Sequence, residues 1–145
     1  MTAASLFLFR DDLRLADNPA LRAALETGNP VLLAYIHESK GSSGRPLGGA
    51  LKWWLHKSLT ALAQSIEKRG SKLHLFSGEP QAVLAKISSV IPLAGVYWNR
   101  RYHPAQIEAD KTLKAALERQ GIAVKSFNAT LLREPWDVKS KSGTP

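Results

Sequence analysis

Cysteine is absent from the 145 residues of this chain, and so is any apolar run long enough to cross a membrane. Without cysteine the chain has neither a disulfide scaffold nor a thiolate metal site. A transmembrane helix needs ~20 consecutive apolar residues. The first five residues, MTAAS, lack the basic start and the apolar stretch of a signal peptide. We therefore expect a cytoplasmic globular protein with no membrane partner.

Motifs that bind phosphate or activate a nucleophile are also missing. No G-x-G-x-x-G follows the first apolar segment, and the glycine-rich GSSGRPLGG at residues 41–49 does not continue as a P-loop. No G-x-S-x-G elbow occurs. The four histidines, at positions 37, 56, 74 and 103, lack the spacing of metal ligands. We expect no catalytic residue and no metal site here, and the glycine-rich segment predicts a surface loop.

Acidic residues are scarce in the second part of the chain. Residues 1–50 contain five basic and five acidic residues and sum to zero, whereas residues 51–145 contain fifteen and seven, which gives the whole net charge of +8. A basic surface attracts polyanions without reading their sequence. The charge is therefore compatible with a DNA partner, and equally with a basic protein that binds no nucleic acid.

Short apolar segments alternate with helical patterns along the chain. The apolar segments have the length of strands and occupy residues 6–9, 31–36, 73–76, 94–98 and 122–124. Between them apolar residues recur every three or four positions, as in helices. Parallel strands joined by right-handed helical crossovers form a doubly wound sheet. We predict an α/β fold with a five-stranded parallel sheet in the order 3-2-1-4-5 and helices on both faces.

Several features mark the helices themselves. Asp17 or Asn18 is a suitable N-cap for the first helix, with Pro19 in its first turn and Gly28 at its end. The second helix is the longest, and its apolar stripe runs through Leu51, Trp54, Leu55, Leu59, Leu62 and Ile66. Neighbouring helical residues differ by about 100° in direction, so Trp53 and Trp54 cannot both face the core. Their rings could stack on bases or carry electrons, or they pack in part under the glycine-rich loop.

Two charged segments follow strands that flank the predicted reversal of strand order. The first is RDDLRLAD at residues 10–17, and the second is WNRRYHP at residues 98–104. We expect these segments to lie side by side, because ligand crevices in such sheets form at the carboxyl ends of these strands. No glycine lies in the first segment, so its backbone cannot approach a phosphate closely. Its alternating charges predict guanidinium groups forked onto the carboxylates of the same turn.

The same segments carry a family resemblance. FRDDLRLADNPAL at residues 9–21 resembles the N-terminal signature of the DNA photolyase and cryptochrome family, and the bacterial cyclobutane-dimer photolyases are the most similar branch. WWLHKSLTALAQSIEKRGSKLHLFSGEP, VYWNRRYHPAQIEAD and LLREPWDVKSKSGTP resemble later parts of the same α/β domain. The resemblance covers essentially the whole chain.

The resemblance implies a domain of residues 1–130 and a linker that begins at residues 131–145. In the family a larger helical domain follows, which binds FAD and the DNA that contains pyrimidine dimers, and that domain is a further expected partner. The four tryptophans of this chain are not the family's electron-transfer tryptophans. The implied function is the light-harvesting domain of a deoxyribodipyrimidine photolyase; the alternatives are a cryptochrome-type photoreceptor and a stand-alone α/β binding module. The signature residues Arg10, Asp12, Arg14, Asp17 and Asn18 are expected to be architectural.

The resemblance also implies an antenna pigment, a folate or a flavin or deazaflavin. The crevice of a doubly wound sheet lies over the carboxyl ends of strands one, two and four. We expect the pigment there, lined by Phe9, Arg10, Tyr35, Ile36, His37, Asn99 and Arg101. At Arg101 and His103 the chain lacks the acidic residues of deazaflavin-type relatives, and at Ala105 and Gln106 it lacks the Asn-Glu pair of folate-type relatives. An arginine at 101 favours an anionic group. A flavin nucleotide, a folate in another pose and an empty pocket all stay open.

Overall fold

A computed structural model describes residues 2–40 and 44–140 of the chain. Five strands and four α-helices alternate in it: β1 (Ala4–Phe9), α1 (Pro19–Glu26), β2 (Val31–His37), α2 (Gly49–Glu67), β3 (Leu73–Ser77), α3 (Pro80–Val90), β4 (Leu93–Asn99), α4 (Pro104–Arg119) and β5 (Ala123–Phe127). A short 3₁₀ helix (Pro135–Asp137) follows. Each predicted strand and helix is present, and the bounds of the strands differ from the predicted ones by at most three residues.

The strands form one parallel sheet in the order β3-β2-β1-β4-β5, as the sequence predicts. β1 lies at its centre and all six of its residues are buried. Because successive side chains of a strand point to opposite faces, β1 supplies both core clusters. Leu6 and Leu8 pack with α3 and α4 on one face. Phe7 and Phe9 pack with α1 and α2 on the other.

Local sequence explains how the first helix begins and ends. The Asn18 side chain accepts a hydrogen bond from the backbone N–H of Leu21 and caps α1, and Pro19 takes the first helical position. Asp17, just before the cap, has a φ of +49°. Gly28 has a φ of +74° shortly after the helix ends, a conformation that costs glycine little. The cap predicted at Asp17 or Asn18 is therefore Asn18.

The apolar stripe predicted for α2 is only half right. Leu62 and Ile66, near its C-terminal end, are buried against the sheet. Leu51 and Trp54, near its N-terminal end, are 59% and 66% exposed, and Trp53 is 60% exposed. Neither tryptophan is packed away, and residues 41–43 of the glycine-rich loop lie outside the described residues. In the described part of the chain, no helix has the length and apolar character that crossing a membrane would require.

Candidate functional site

The carboxyl edge of the sheet holds a buried polar network. Asp12, after β1, accepts hydrogen bonds from the backbone N–H of Arg10 and from the side-chain amides of Asn18 and Asn99. Asn99, at the end of β4, also donates to the Asn18 side-chain oxygen at 2.8 Å and accepts from the Ala20 backbone N–H at 3.2 Å. Asp12, Asn18 and Asn99 are each at most 6% exposed. The network fixes the exit of β1, the start of α1 and the end of β4 to one another.

Burial raises the pKa of the Asp12 carboxyl, because a charged group loses its hydration there. The hydrogen bonds from the Arg10 backbone and from the two asparagines act in the opposite direction, since they favour the carboxylate. A buried carboxylate with three donors is a stable structural element rather than a free base. The signature residues Asp12 and Asn18 therefore have the architectural role that the sequence predicts for them.

A second cluster next to this network consists of two arginines and two carboxylates. Arg10 contacts Glu38 at 3.0 Å and Asp110 at 2.8 Å. Arg101 binds both oxygens of Asp110, at 2.6 and 3.1 Å, and Glu38 at 3.1 Å. The Arg10 and Arg101 side chains are 3% and 8% exposed. Two positive and two negative charges therefore balance in a cluster of which only Glu38, at 29% exposure, reaches solvent appreciably, and charge-assisted hydrogen bonds join them.

The pKa values of the two arginines shift in opposite directions. Burial lowers the pKa of Arg10, and the neighbouring charge of Arg101 lowers it further. For Arg101 burial also acts to lower the pKa, but the hydrogen bond and charge of Asp110 outweigh it and raise the pKa overall. An arginine pKa starts so far above neutral that both side chains stay protonated. The cluster is thus a set of permanent ion pairs.

These contacts correct one expectation from the sequence. The two charged segments do lie side by side, joined by Asp12 and Asn99. However, among the described residues neither guanidinium of the first segment pairs with a carboxylate of its own turn. Arg10 reaches Glu38 and Asp110, and Arg14 donates to the carbonyl oxygens of Asp17 and Ala129. The buried Asp110 and the partly buried Glu38 provide a stronger field for Arg10 than the exposed Asp11 beside it.

A third set of contacts attaches the segment after β5. Arg100 and the Tyr102 hydroxyl both donate to one oxygen of Glu134, at 2.5 and 2.9 Å. Arg100 also donates to the side chain and carbonyl of Ser126, and its guanidinium lies 5.9 Å from the Trp136 ring centre. Burial raises the pKa of Tyr102, and the hydrogen bond to Glu134 raises it further. The chain after residue 130 is therefore anchored to the turn that follows β4.

Between α4 and this segment lies a groove of about 220 Å³. It is lined chiefly by four basic residues and two tryptophans, namely Arg100, Arg101, Lys111, Lys114, Trp98 and Trp136. Pockets that enclose drug-sized ligands have volumes of ~300–1,000 Å³. The groove is too small to enclose a folate or a flavin without further walls.

The seven residues predicted to line a pigment fall into three groups. Phe9 and Ile36 are 1% and 4% exposed and belong to core clusters on opposite faces of the sheet. Arg10 and Asn99 are buried in the polar contacts described above. Tyr35, His37 and Arg101 keep partial exposure at the carboxyl edge.

Three carboxylates that make these contacts are not among the residues predicted from the sequence: Glu38, Asp110 and Glu134. Asp110 had a detectable signal, because it lies three residues after Ile107 and three before Leu113 on the apolar side of α4, and it is 9% exposed. A carboxylate in an apolar stripe indicates a buried cationic partner. Glu38 and Glu134 lie in loops, and no local pattern marks them. Within residues 2–40 and 44–140, no three His, Asp or Glu side chains come together as metal ligands would.

Comparison with known proteins identifies the family. The family model for DNA photolyase matches residues 5–145. The chain belongs to the DNA photolyase family. It is 48% identical over 144 residues to a deoxyribodipyrimidine photo-lyase of Agrobacterium fabrum, a match that covers 99% of this chain and 29% of the relative. Plant cryptochromes match the same span at lower identity.

Solved structures of the family have the same fold. The crystal structure of a bacterial class III photolyase from Agrobacterium tumefaciens superposes with a TM-score of 0.92 at 47% identity, over all of this chain and 30% of that one. An archaeal photolyase from Sulfolobus tokodaii, described with two FAD molecules and a novel light-harvesting cofactor, has a TM-score of 0.76 at 28% identity, over 90% of this chain and 30% of that one. The chain thus spans under a third of the length of these relatives, and it matches the N-terminal α/β domain of a photolyase.

Proposed function

We propose that this chain is the N-terminal α/β domain of a deoxyribodipyrimidine photolyase, which repairs pyrimidine dimers in DNA with light. One observation carries the proposal. The family signature residues Arg10, Asp12 and Asn18 are built into buried contacts at the carboxyl edge, in a fold with a TM-score of 0.92 to a class III photolyase. The lower identity of the plant cryptochromes favours repair over signalling.

In this proposal, the groups that perform the repair lie outside residues 1–145. FAD would bind in a helical domain of the complete protein, which would also bind the damaged DNA. The ends of the strands in this chain lack the glycine motif that could hold the pyrophosphate of FAD. The contribution of this domain would be structural support and pigment binding. Its basic charge would add a weak attraction to DNA.

The test of repair starts from the gene. The reading frame around this chain is expressed whole, and the product is incubated with DNA that contains thymine dimers, in blue light and in the dark. We expect light-dependent loss of dimers. A product with a full helical domain but no repair would favour the cryptochrome alternative, and a reading frame that ends at Pro145 would favour the stand-alone module. The isolated chain is expected to repair nothing.

We further propose that an antenna pigment, a folate or a flavin or deazaflavin, contacts this edge through Tyr35, His37 and Arg101. The partial exposure of Tyr35 and His37 supports this choice among the seven predicted residues, and Arg101 lines the adjacent groove although its side chain is only 8% exposed. Phe9, Ile36, Arg10 and Asn99 would support them from behind. Burial raises the pKa of Tyr35, and so do the charges of Asp11 and Glu38, which keeps its hydroxyl a hydrogen-bond donor. Arg101 is already neutralised by Asp110 and Glu38 and offers little free charge to an anionic tail.

Fluorescence titration of the chain with each pigment tests this placement. Tyr35→Phe and His37→Ala are expected to weaken binding by about tenfold or less each, the effect of one lost hydrogen bond. Arg101→Glu would place a third carboxylate beside Asp110 and Glu38 and disturb the fold, so Arg101→Gln is the better variant. Arg119→Gln, on an exposed arginine of α4, is the control. Tight binding that none of the three changes affects would exclude this edge as the pigment site.

A further inference from the structure

The N-terminal part of α2 extends beyond the core that its C-terminal part covers. α2 has 19 residues and β3 has five, which correspond to ~28 Å and ~17 Å. From residue 49 to residue 61 no side chain of α2 is fully buried. Leu59 is partly buried against the core, and the first buried residue is Leu62. We call residues 49–61 the α2 overhang. Because α2 follows β2, the overhang lies at the carboxyl end of the sheet.

The overhang exposes large apolar side chains instead of polar ones. Leu51, Trp53 and Trp54 are each between 59% and 66% exposed. The two rings point about 100° apart, so they cover a broad part of the helix surface. A surface helix normally turns its polar face to water. An exposed apolar patch of this kind marks a site of interaction.

In the sequence around this patch the charges have a single sign. Between Glu38 and Glu67 there is no acidic residue, while Lys40, Arg45, Lys52 and Lys57 are basic. The Lys57 ammonium lies 5.7 Å from the centre of the Trp53 ring. A partner that fits this surface therefore has an apolar centre surrounded by carboxylates.

The amount of apolar surface argues against a second copy of the chain as the partner. At the exposures given above, the three side chains offer roughly 400 Å², about half of the ~800 Å² per partner in a stable complex of separate molecules. A domain on the same polypeptide needs less contact area, because the linker keeps it at a high effective concentration. In the Agrobacterium photolyase structure the matched part is 30% of the chain, so about 70% of that polypeptide lies outside it.

We propose that the α2 overhang is the docking surface for the helical domain that follows this domain in complete photolyases. Trp53 and Trp54 insert into an apolar depression of that domain, and the lysines and Arg45 face carboxylates on its rim. This inference rests on the proposed function for the existence of the second domain. The inference goes beyond the proposed function by naming the surface that holds the two domains together.

Hydrogen–deuterium exchange tests the proposal in a chimera. This chain replaces the matching 144 residues of the Agrobacterium photolyase, to which it is 48% identical. We expect the amides of residues 49–61 to exchange at least tenfold more slowly in the chimera than in the isolated chain. Trp53→Ser with Trp54→Ser should remove this protection. Val90→Ser, at an exposed apolar residue of α3 on the opposite face of the sheet, should leave it intact.

Equal amide exchange in the chimera and the isolated chain would overturn the proposal. So would light scattering that shows a dimer of the isolated chain, if Trp53→Ser with Trp54→Ser dissociates that dimer. If the chimera does not fold, only residues 49–61 are grafted into the Agrobacterium photolyase. Their amide exchange is then compared with that in the isolated chain, and equally fast exchange in the two proteins would again contradict docking. Light-driven repair is measured in parallel on the product of the chain's own gene. Protection without repair would contradict the proposed function alone, and repair without protection would contradict the docking surface alone.

Discussion

The carboxyl edge of the sheet and the α2 overhang reverse the usual distribution of side chains. At the edge, charged and amide side chains such as Arg10, Asp12 and Asn99 are at most 6% exposed. On the overhang, two tryptophans are at least 60% exposed. The polar groups can be buried because nearly every donor and acceptor has a partner. The tryptophans stay exposed because the helix is longer than the core it covers. Burial in this domain follows the supply of partners more closely than it follows polarity.

The largest expected effect comes from breaking the buried ion pairs. Asp110→Asn keeps the shape of the side chain but leaves Arg10 and Arg101 with only Glu38 as a counter-charge. Removing one partner of a buried pair costs about 3–5 kcal/mol. We expect a loss of this size in the free energy of unfolding, measured with urea.

Glu118→Gln on the same helix is the matched control for this variant. Its carboxylate is half exposed and lies 3.9 Å from Lys114, and exposed pairs of this kind contribute ~0.2–1 kcal/mol. Similar losses for the two variants would show that the Arg10–Asp110 cluster is not buried in solution as it is in the structure.

A smaller loss is expected from the amide network. Asn99→Ala leaves the Ala20 N–H without its acceptor and removes one donor from Asp12. An unsatisfied buried polar group costs about 1–3 kcal/mol. Asn128→Ala is the comparison, because Asn128 also makes three hydrogen bonds but in an exposed turn. If Asn128→Ala destabilises the protein as much as Asn99→Ala, burial does not set the strength of these bonds.

The contrast between the two regions also explains which structural features can be predicted from the sequence and which cannot. The strand order follows from local patterns, because five short apolar runs separated by helices leave few arrangements for the chain. The Asn18 cap and the contact between the two charged segments follow from spacing and from the topology. The partners of Arg10 do not, since Glu38 and Asp110 are 28 and 100 residues away. The exposure of Trp54 was equally hidden, because periodicity shows which side of a helix is apolar but not where the neighbouring sheet ends.

The pH dependence of stability tests whether Asp12 is as buried as the structure shows. Its pKa is raised in the folded state, chiefly by burial, so the folded protein binds a proton more readily than the unfolded chain. Stability from this group is therefore fully present below the ordinary pKa of about 3.9 and is lost as the pH rises through the folded pKa. We expect the advantage of the wild type over Asp12→Asn to grow as the pH falls from 7 towards 4. Urea unfolding of both proteins at each pH measures it. A constant difference would place Asp12 in water, and a shrinking one would mean that the hydrogen bonds to its carboxylate outweigh burial.

The smallest expected effect is on the overhang, where a large change of side chain should scarcely alter the fold. Trp54→Ser removes the largest side chain type, but the ring is 66% exposed and lies outside both core clusters. Substitutions on exposed surface change the free energy of unfolding by ~0.5 kcal/mol or less.

Trp98→Ala is the opposite case, since Trp98 is 2% exposed in the core and loss of a buried tryptophan costs ~3–5 kcal/mol. Thermal unfolding of the isolated chain compares the two, and a loss above 1 kcal/mol for Trp54→Ser would mean that the ring packs within the domain. A stability unchanged by Trp54→Ser would mean that the ring contributes nothing to the packing of the domain and is free to contact a partner.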